Sequence, residues 1–363
     1  MAKVKLPTGP QELSAEWITS ALRETGTISD SAVTGFDYEI IGEGVGVLGQ
    51  LARVQLRYDS REEDAPASLV GKFPASVQEN RDLANLFRFY EREVRFYERI
   101  AEEVELRTPK RYYSHFDEDT NDFVLLIEDM APARCGNQVE GCSREAARAT
   151  VLNLAPFHAT WWDKVDTPHL DWIPYANDPI QHFAESSYND GWETFTRNFG
   201  DRLPPRAMAI AERFRTKIIA MLDALANSPI TIAHGDLRYD NLFFGADGEM
   251  AVADWQIIVR ARGTYDVAYF MSQSVDPADR KASEMDIVRS YHETLLEHGV
   301  KGYGVDQCFD DYRSAAMFCL VYPVVSGGNL DLANERGVAL VTAMLDRSVA
   351  TILDLDCDEM IPA

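Results

Sequence analysis

The stretch His234-Gly235-Asp236-Leu237-Arg238-Tyr239-Asp240-Asn241, followed by Ala253-Asp254-Trp255-Gln256, limits this chain more than any other feature. Gly and Asp favour a turn, while the apolar residues on either side read as short strands. A turn held at strand ends presents its polar side chains at one place. Asp236 and Asn241 stand five positions apart, and Asp254 closes an apolar strand 18 residues after Asp236. That spacing suits phosphoryl transfer. One carboxylate, Asp236, can accept the proton of an attacking hydroxyl, while Asn241 and Asp254 can hold Mg²⁺ on nucleotide phosphates.

A chain of 363 residues is long enough for two lobes and short for three domains. Pattern places the boundary near residue 131. Before it, residues 36–41, 51–58 and 67–73 are strand-like, 80–103 reads as one long helix, and 111–116 and 123–128 as two more strands. A helix over 10–24 precedes them. After Met130 the pattern turns helical, at 143–162, 205–227, 266–274, 282–298, 307–325 and 332–355, with strands only within 230–259. We therefore expect an α+β fold with an N-terminal nucleotide-binding lobe, 1–130, and a C-terminal catalytic and acceptor-binding lobe, 131–363.

With 59 acidic against 35 basic side chains the net charge is −24. Such a surface repels nucleic acid and anionic membranes. The five cysteines lack metal or disulfide spacing, which points to reduced thiols in the cytoplasm. No apolar run follows Met1-Ala2-Lys3-Val4-Lys5, so no signal peptide is expected, and 315–325 is too short to span a membrane.

Four further constellations lie in the first lobe. Gly44-Val45-Gly46-Val47-Leu48-Gly49 lets backbone N–H groups approach phosphates. The residues after it alternate like a strand, which favours a strand–loop–strand hairpin over a dinucleotide fold. Lys72, embedded in an apolar strand, requires an anionic partner and would bind the α- and β-phosphates. Glu93 borders the packed stripe of the long helix and is the preferred partner, although Glu91 and Glu98 lie close in sequence. At Leu125-Leu126-Ile127-Glu128-Asp129-Met130 a buried strand enters a loop, where the carbonyl of Glu128 and the N–H of Met130 would meet an adenine edge.

In this order (glycine loop, Lys72, Glu93, the 128–130 hinge, His-Gly-Asp-x4-Asn, Asp-Trp-Gln, then Asp266-Val267-Ala268) the chain resembles the aminoglycoside phosphotransferase and choline kinase superfamily. The two catalytic motifs look most like its ecdysteroid-kinase-like branch. The resemblance covers about residues 36–275 and includes Leu-Ala-Pro-Phe-His-Ala at 154–159. It implies a bilobal protein-kinase-like fold, ATP, Mg²⁺ and transfer of the γ-phosphoryl group to an alcohol. Gly235 replaces the Arg of protein kinases and no Ala-Pro-Glu segment follows, which argues against a protein substrate. Trp255-Gln256 stands where Phe-Gly would permit a mobile switch.

The acceptor is less constrained. Residues 157–199 are rich in aromatics, which suit either the core of the large lobe or an acceptor pocket. Trp161 and Trp162 read as core. Arg238, Arg260 and Arg262 oppose a polycationic acceptor and could meet an anionic tail such as a coenzyme A phosphate. His234 reads as a structural hydrogen-bonder, and Asp266 as a cap of the next helix or a brace of the catalytic loop. An aminoglycoside kinase and a non-catalytic pseudokinase are the rival readings. Neither the oligomeric state nor the choice between ATP and GTP is written in the sequence.

Overall fold

A computed structural model describes residues 6–42, 48–246 and 248–362. The described residues fall into two compact units. The first takes those up to Glu103, Arg107–Arg134 and Ala251–Ile257; the second takes Val104–Leu106, Cys135–Met250 and Ile258 onward.

The first unit is built on an antiparallel sheet of β1 (Val33–Ile41), β2 (Gly49–Tyr58), β3 (Ser68–Pro74), β4 (Arg111–Phe116) and β5 (Phe123–Glu128), ordered β1-β2-β3-β5-β4. Alternation decides its two faces. Ala52, Val54, Leu69, Phe73, Val124 and Leu126 point one way. There they form a core with Ile18 and Leu22 of helix α1 (Ala15–Glu24). Lys72, paired with Leu125 across the β3–β5 ladder, points the other way. That face is covered by α3 (Phe89–Arg99), where Tyr90 stacks on Phe123 at 4.4 Å. With both faces covered, β5 is buried along nearly its whole length, which is why its sequence is continuously apolar.

The helix expected over 80–103 is two helices, α2 (Gln78–Leu86) and α3. Arg88 takes a left-handed φ of 56° between them. The carbonyl of Phe87 accepts from Nε of the buried Arg92 at 3.1 Å. The helix expected over 10–24 is likewise a 3₁₀ turn, Pro10–Glu12, followed by α1. Its N-cap Ser14 accepts from the Trp17 N–H at 3.1 Å.

In the second unit come α4 (Arg144–Trp161), α5 (Phe183–Phe199), α6 (Pro205–Phe214), α7 (Ile218–Leu225), α8 (Thr264–Ser274), α9 (Pro277–Glu297), α10 (Val305–Phe318), α11 (Val321–Gly328) and α12 (Glu335–Asp354). The second unit also has the short strands β7 (Thr231–Ala233), β8 (Leu242–Phe244) and β10 (Val259–Ala261), with β10 antiparallel to β7, while β6 (Arg134–Cys135) and β9 (Met250–Val252) lie where the chain passes from one unit to the other. Two expected helices are broken. Residues 205–227 divide into α6 and α7 because α5 caps both ends: Asn189 Nδ2 donates to the Arg215 carbonyl at 3.0 Å, and Glu185 accepts from the Ile219 N–H at 3.2 Å. Residues 307–325 divide into α10 and α11, which puts Pro323 in a first turn where its missing N–H costs nothing.

The aromatic segment contains α5, a helix outside those expected from the apolar pattern. Tyr188, Trp192, Phe195 and Phe199 on it are buried, whereas Phe183 is exposed. Helix α5 meets α11 at glycines: a Cβ on Gly328 would lie 2.6 Å from the Gly191 Cα. Among the described residues no helix is long and apolar enough to cross a membrane.

Candidate active site

In the first unit the alternation of β3 delivers Lys72 to α3, and the ammonium meets two carboxylates there. Lys72 Nζ lies 2.5 Å from Glu93 Oε1 and 3.1 Å from Asp254 Oδ1. Burial works against the ammonium, but the charges of Asp254 and Glu93 outweigh it, so the Lys72 pKa is raised. For Glu93 burial is the largest influence and lifts the carboxyl to about 6, against the pull of Lys72. The neighbouring glutamates are engaged elsewhere, Glu91 with Arg88 and Arg95 and Glu98 with the Ser114 hydroxyl.

Residues Asp254–Gln256 are shaped to fit this cluster. Asp254 takes a left-handed φ of 69°, and Gln256 Nε2 reaches back to Asp254 Oδ1 at 2.6 Å. The Trp255 indole is fully buried and lies parallel to Phe96, with ring centroids 3.8 Å apart. Its Nε1 donates to the Val252 carbonyl at 3.1 Å, and its backbone N–H donates to the Glu93 carboxylate. Glu93 and Phe96 are one turn apart on α3, so Trp255 grips that helix at two points on one face.

At the end of β5 the Glu128 carboxylate is occupied by Arg107, with both oxygens 2.8 Å from one guanidinium nitrogen. It also accepts the Lys110 N–H at 2.9 Å. The Glu128 side chain is thus taken up within the protein. The Met130 carbonyl already accepts from the Ala133 N–H at 2.7 Å. Gly49 opens β2, and β1 and β2 pair antiparallel, so a strand, not a helix, follows the glycines. Gly44 and Gly46 lie outside the described residues.

In the second unit the loop after β7 is fastened from beneath by the buried Asp266. Its Oδ2 accepts the His234 N–H at 2.6 Å and its Oδ1 the Gly235 N–H at 2.9 Å. Gly235 takes a φ of 86°, which few other residues tolerate. Behind Asp266 stand His158 of α4, Nε2 to Oδ2 at 3.2 Å, and Tyr291, whose hydroxyl lies 2.7 Å from His158 Nδ1. Asp266 is thus the brace; the residue capping α8 is Gly263. His234 accepts the Asp236 N–H on Nδ1 at 3.2 Å, a structural role.

The Asp236 carboxylate is held from both sides. Tyr269, three residues beyond Asp266 on α8, donates to Oδ1 at 2.7 Å. Arg238 Nε and Asn241 Nδ2 reach Oδ2 at 3.2 and 3.3 Å. Burial and the Asp236 charge push the Tyr269 phenol well above its usual range, so it remains a donor. Asn241 also donates to the Asp236 carbonyl at 2.9 Å, which turns its amide oxygen away from Asp236. Sequence reasoning missed Tyr269 and did not connect Arg238 to Asp236. Helical spacing from Asp266 was the one signal for Tyr269.

The other two arginines are committed to structure. Arg260 lies 3.8 Å above the Tyr175 ring and donates to the Val165 carbonyl at 3.2 Å. Arg262 is paired with Asp311. Neither can be counted against a cationic acceptor.

The Asp254 carboxylate in the first unit is a hard oxygen donor, of the kind Mg²⁺ takes in ones and twos alongside substrate phosphates, and the Asn241 amide oxygen in the second is another. Among the described residues no group of three or more His, Cys, Asp or Glu could hold a metal alone. Each is chemically suited to share a cation with phosphate oxygens, which would supply the remaining ligands.

The antiparallel sheet backed by α3, together with a mainly helical second unit, is the fold of small-molecule kinases. A choline kinase of Cryptosporidium parvum Iowa II shares it at TM-score 0.57 and 11% identity, over 95% of this chain and 98% of that one. A provisionally assigned aminoglycoside phosphotransferase of Ralstonia eutropha JMP134 does so at 0.57 and 11%, over 96% and 99%. The GDP complex of an aminoglycoside 2'-phosphotransferase-IIIa variant follows at 0.51 and 12%, over 95% and 97%. Residues 43–301 match the model of the ecdysteroid kinase-like family, and the chain belongs to that family. A comparison with curated proteins gave no match.

Proposed function

We propose that this protein transfers the γ-phosphoryl group of ATP to a hydroxyl of a small molecule, with Mg²⁺ on the nucleotide. The observation that carries the reading is the Lys72 ammonium between Glu93 and Asp254. Strand β3, helix α3 and a segment more than 150 residues later in the chain converge there on one partly buried cation. Such a cation suits phosphate charge. A surface lysine would have no need of two carboxylates.

In this reading Lys72 meets the α- and β-phosphates, and Glu93 keeps its ammonium in place. Backbone N–H groups at Gly44, Gly46 and Gly49 cradle the phosphates, and the backbone of Glu128 and Met130 receives the adenine. Asp254 and Asn241 are the metal ligands, and the metal, when bound, neutralises phosphate charge. Asp236 orients the acceptor hydroxyl and takes its proton. Tyr269 on Oδ1, with Arg238 and Asn241 on Oδ2, fixes the plane of the Asp236 carboxylate toward the acceptor. A loose transition state requires this positioning more than covalent chemistry. The acceptor is a small-molecule alcohol, and five cysteines outside any disulfide fit a reducing cytoplasm.

Asp236→Asn should lower turnover on the order of 10²- to 10⁴-fold with an unchanged melting temperature. The acceptor is to be found by incubating the protein with Mg·ATP and a panel of hydroxylated metabolites, choline and aminoglycosides included, and scanning by mass spectrometry for a gain of phosphate. Undiminished phosphorylation by Asp236→Asn removes Asp236 from its role. Failure of the wild type to bind Mg·ATP removes the whole reading.

A further inference from the structure

The Asp254-Trp255-Gln256 turn holds a residue to which the reaction as described gives no task. Gln256 is two positions from Asp254, and the left-handed φ of 69° at Asp254 folds the chain back so that the two side chains meet. Gln256 Nε2 donates to Asp254 Oδ1 at 2.6 Å, and Lys72 Nζ donates to the same atom at 3.1 Å. A carboxylate oxygen accepts about two hydrogen bonds through its lone pairs. Oδ1 has both in this arrangement, which sets the plane of the carboxylate and engages one of its two oxygens before any cation arrives.

The choice of cation follows from coordination chemistry. Ca²⁺ takes six to eight oxygens at long distances and readily accepts both oxygens of one carboxylate. Mg²⁺ and Mn²⁺ favour octahedral sets, and Mg²⁺ in particular binds through one or two carboxylates at short distance while keeping several waters. A carboxylate with one oxygen already committed to two donors suits the second kind of ion.

We propose that Gln256 is a positioning and specificity residue: with Lys72 it restricts Asp254 to one-oxygen coordination and so selects Mg²⁺ or Mn²⁺ over Ca²⁺ on the bound nucleotide. The proposal rests on the reading of Asp254 as a metal ligand. Gln256 touches the ligand and not the metal or the phosphates. Its amide must present Nε2 to Asp254, so a carboxylate of the same length in its place would repel Asp254.

The test is calorimetric and needs no acceptor. Dissociation constants of Mg·ATP, Mn·ATP and Ca·ATP are measured for the wild type, Gln256→Leu, Gln256→Asn and Asp254→Asn, with melting temperatures to show that each is folded. In the wild type Mg·ATP should bind at least about tenfold more tightly than Ca·ATP. In Gln256→Leu, which keeps the bulk and loses the donor, that ratio should fall about fivefold or more, through weaker Mg·ATP and tighter Ca·ATP binding. If Leu at 256 fails to fold, Gln256→Asn, whose amide is too short to reach, serves instead with the same expectation. A ratio within about twofold of wild type in a folded variant overturns the role of Gln256. Metal dependence that survives Asp254→Asn instead overturns the reading of Asp254 itself, which separates the two failures.

Discussion

Glu93 combines two opposing requirements in one carboxyl group. Its partner Lys72 calls for the ionised form, while burial lifts the carboxyl from its ordinary 4.5 to about 6. A raised carboxyl pKa means that the folded protein holds this proton more tightly than the unfolded chain does. The protonated form therefore contributes stability that is complete below about 4.5 and lost as pH rises through about 6, on the order of 2 kcal/mol. Activity should run the other way, because protonation breaks the pair with Lys72. We expect kcat/KM for ATP to decline below about pH 6, while the wild type gains melting temperature relative to Glu93→Gln as pH falls from about 7 to about 5. Parallel pH–rate and pH–melting profiles of the two proteins check both signs. If the two melting curves keep a constant offset, the buried carboxyl does not titrate as described.

Residues of this kind were legible in the sequence when their chemistry was out of place there, as a lysine is inside an apolar strand. Tyr269 was not legible, since a tyrosine in a buried helix is ordinary until its hydroxyl is seen on Asp236. Arg260 and Arg262 misled for a related reason. Neighbours in sequence, they have partners distant in sequence, Val165 and Asp311.

Elements were legible where a local pattern governs them. The five strands of the first sheet follow from alternation and their turns, and Ser143, the expected start of a helix, is the N-cap of α4. Breaks between helices are another matter. No glycine or proline marks the turn at Arg88, and the apolar stripe runs through it, so periodicity alone joins α2 to α3. What ends α2 is a side chain from the next helix, the Arg92 guanidinium on the Phe87 carbonyl. Arg92→Met should accordingly cost about 2 kcal/mol, the scale of a charged hydrogen bond, measurable as a lower urea midpoint. A midpoint equal to wild type would show that the turn holds without it. The break between α6 and α7 has the same origin, in Asn189 and Glu185 of α5.

For the whole molecule, one sequence position cannot describe the division of the chain. Ala251–Ile257 belong with the sheet and α3 even though more than a hundred residues of the second unit come first. They bring the metal-ligand candidate Asp254, and also the indole that covers Phe96. A fragment ending at residue 134 should therefore be a poorly cooperative folder with an exposed Phe96. Adding a synthetic peptide of residues 250–258 should raise its melting temperature and sharpen the transition. Circular dichroism of the fragment with and without the peptide is the measurement, and a sharp transition of the bare fragment contradicts the expectation.

The meeting of α5 and α11 at Gly191 and Gly328 limits how lineages of this fold can diverge. Elsewhere along α5 a bulky ring can be exchanged for another group of similar volume, because adjoining side chains can share the change. Where two main chains touch, no side chain is present to yield. Descendants that retain the crossing must inherit both glycines, and any descendant that has replaced one must have drawn the two helices apart.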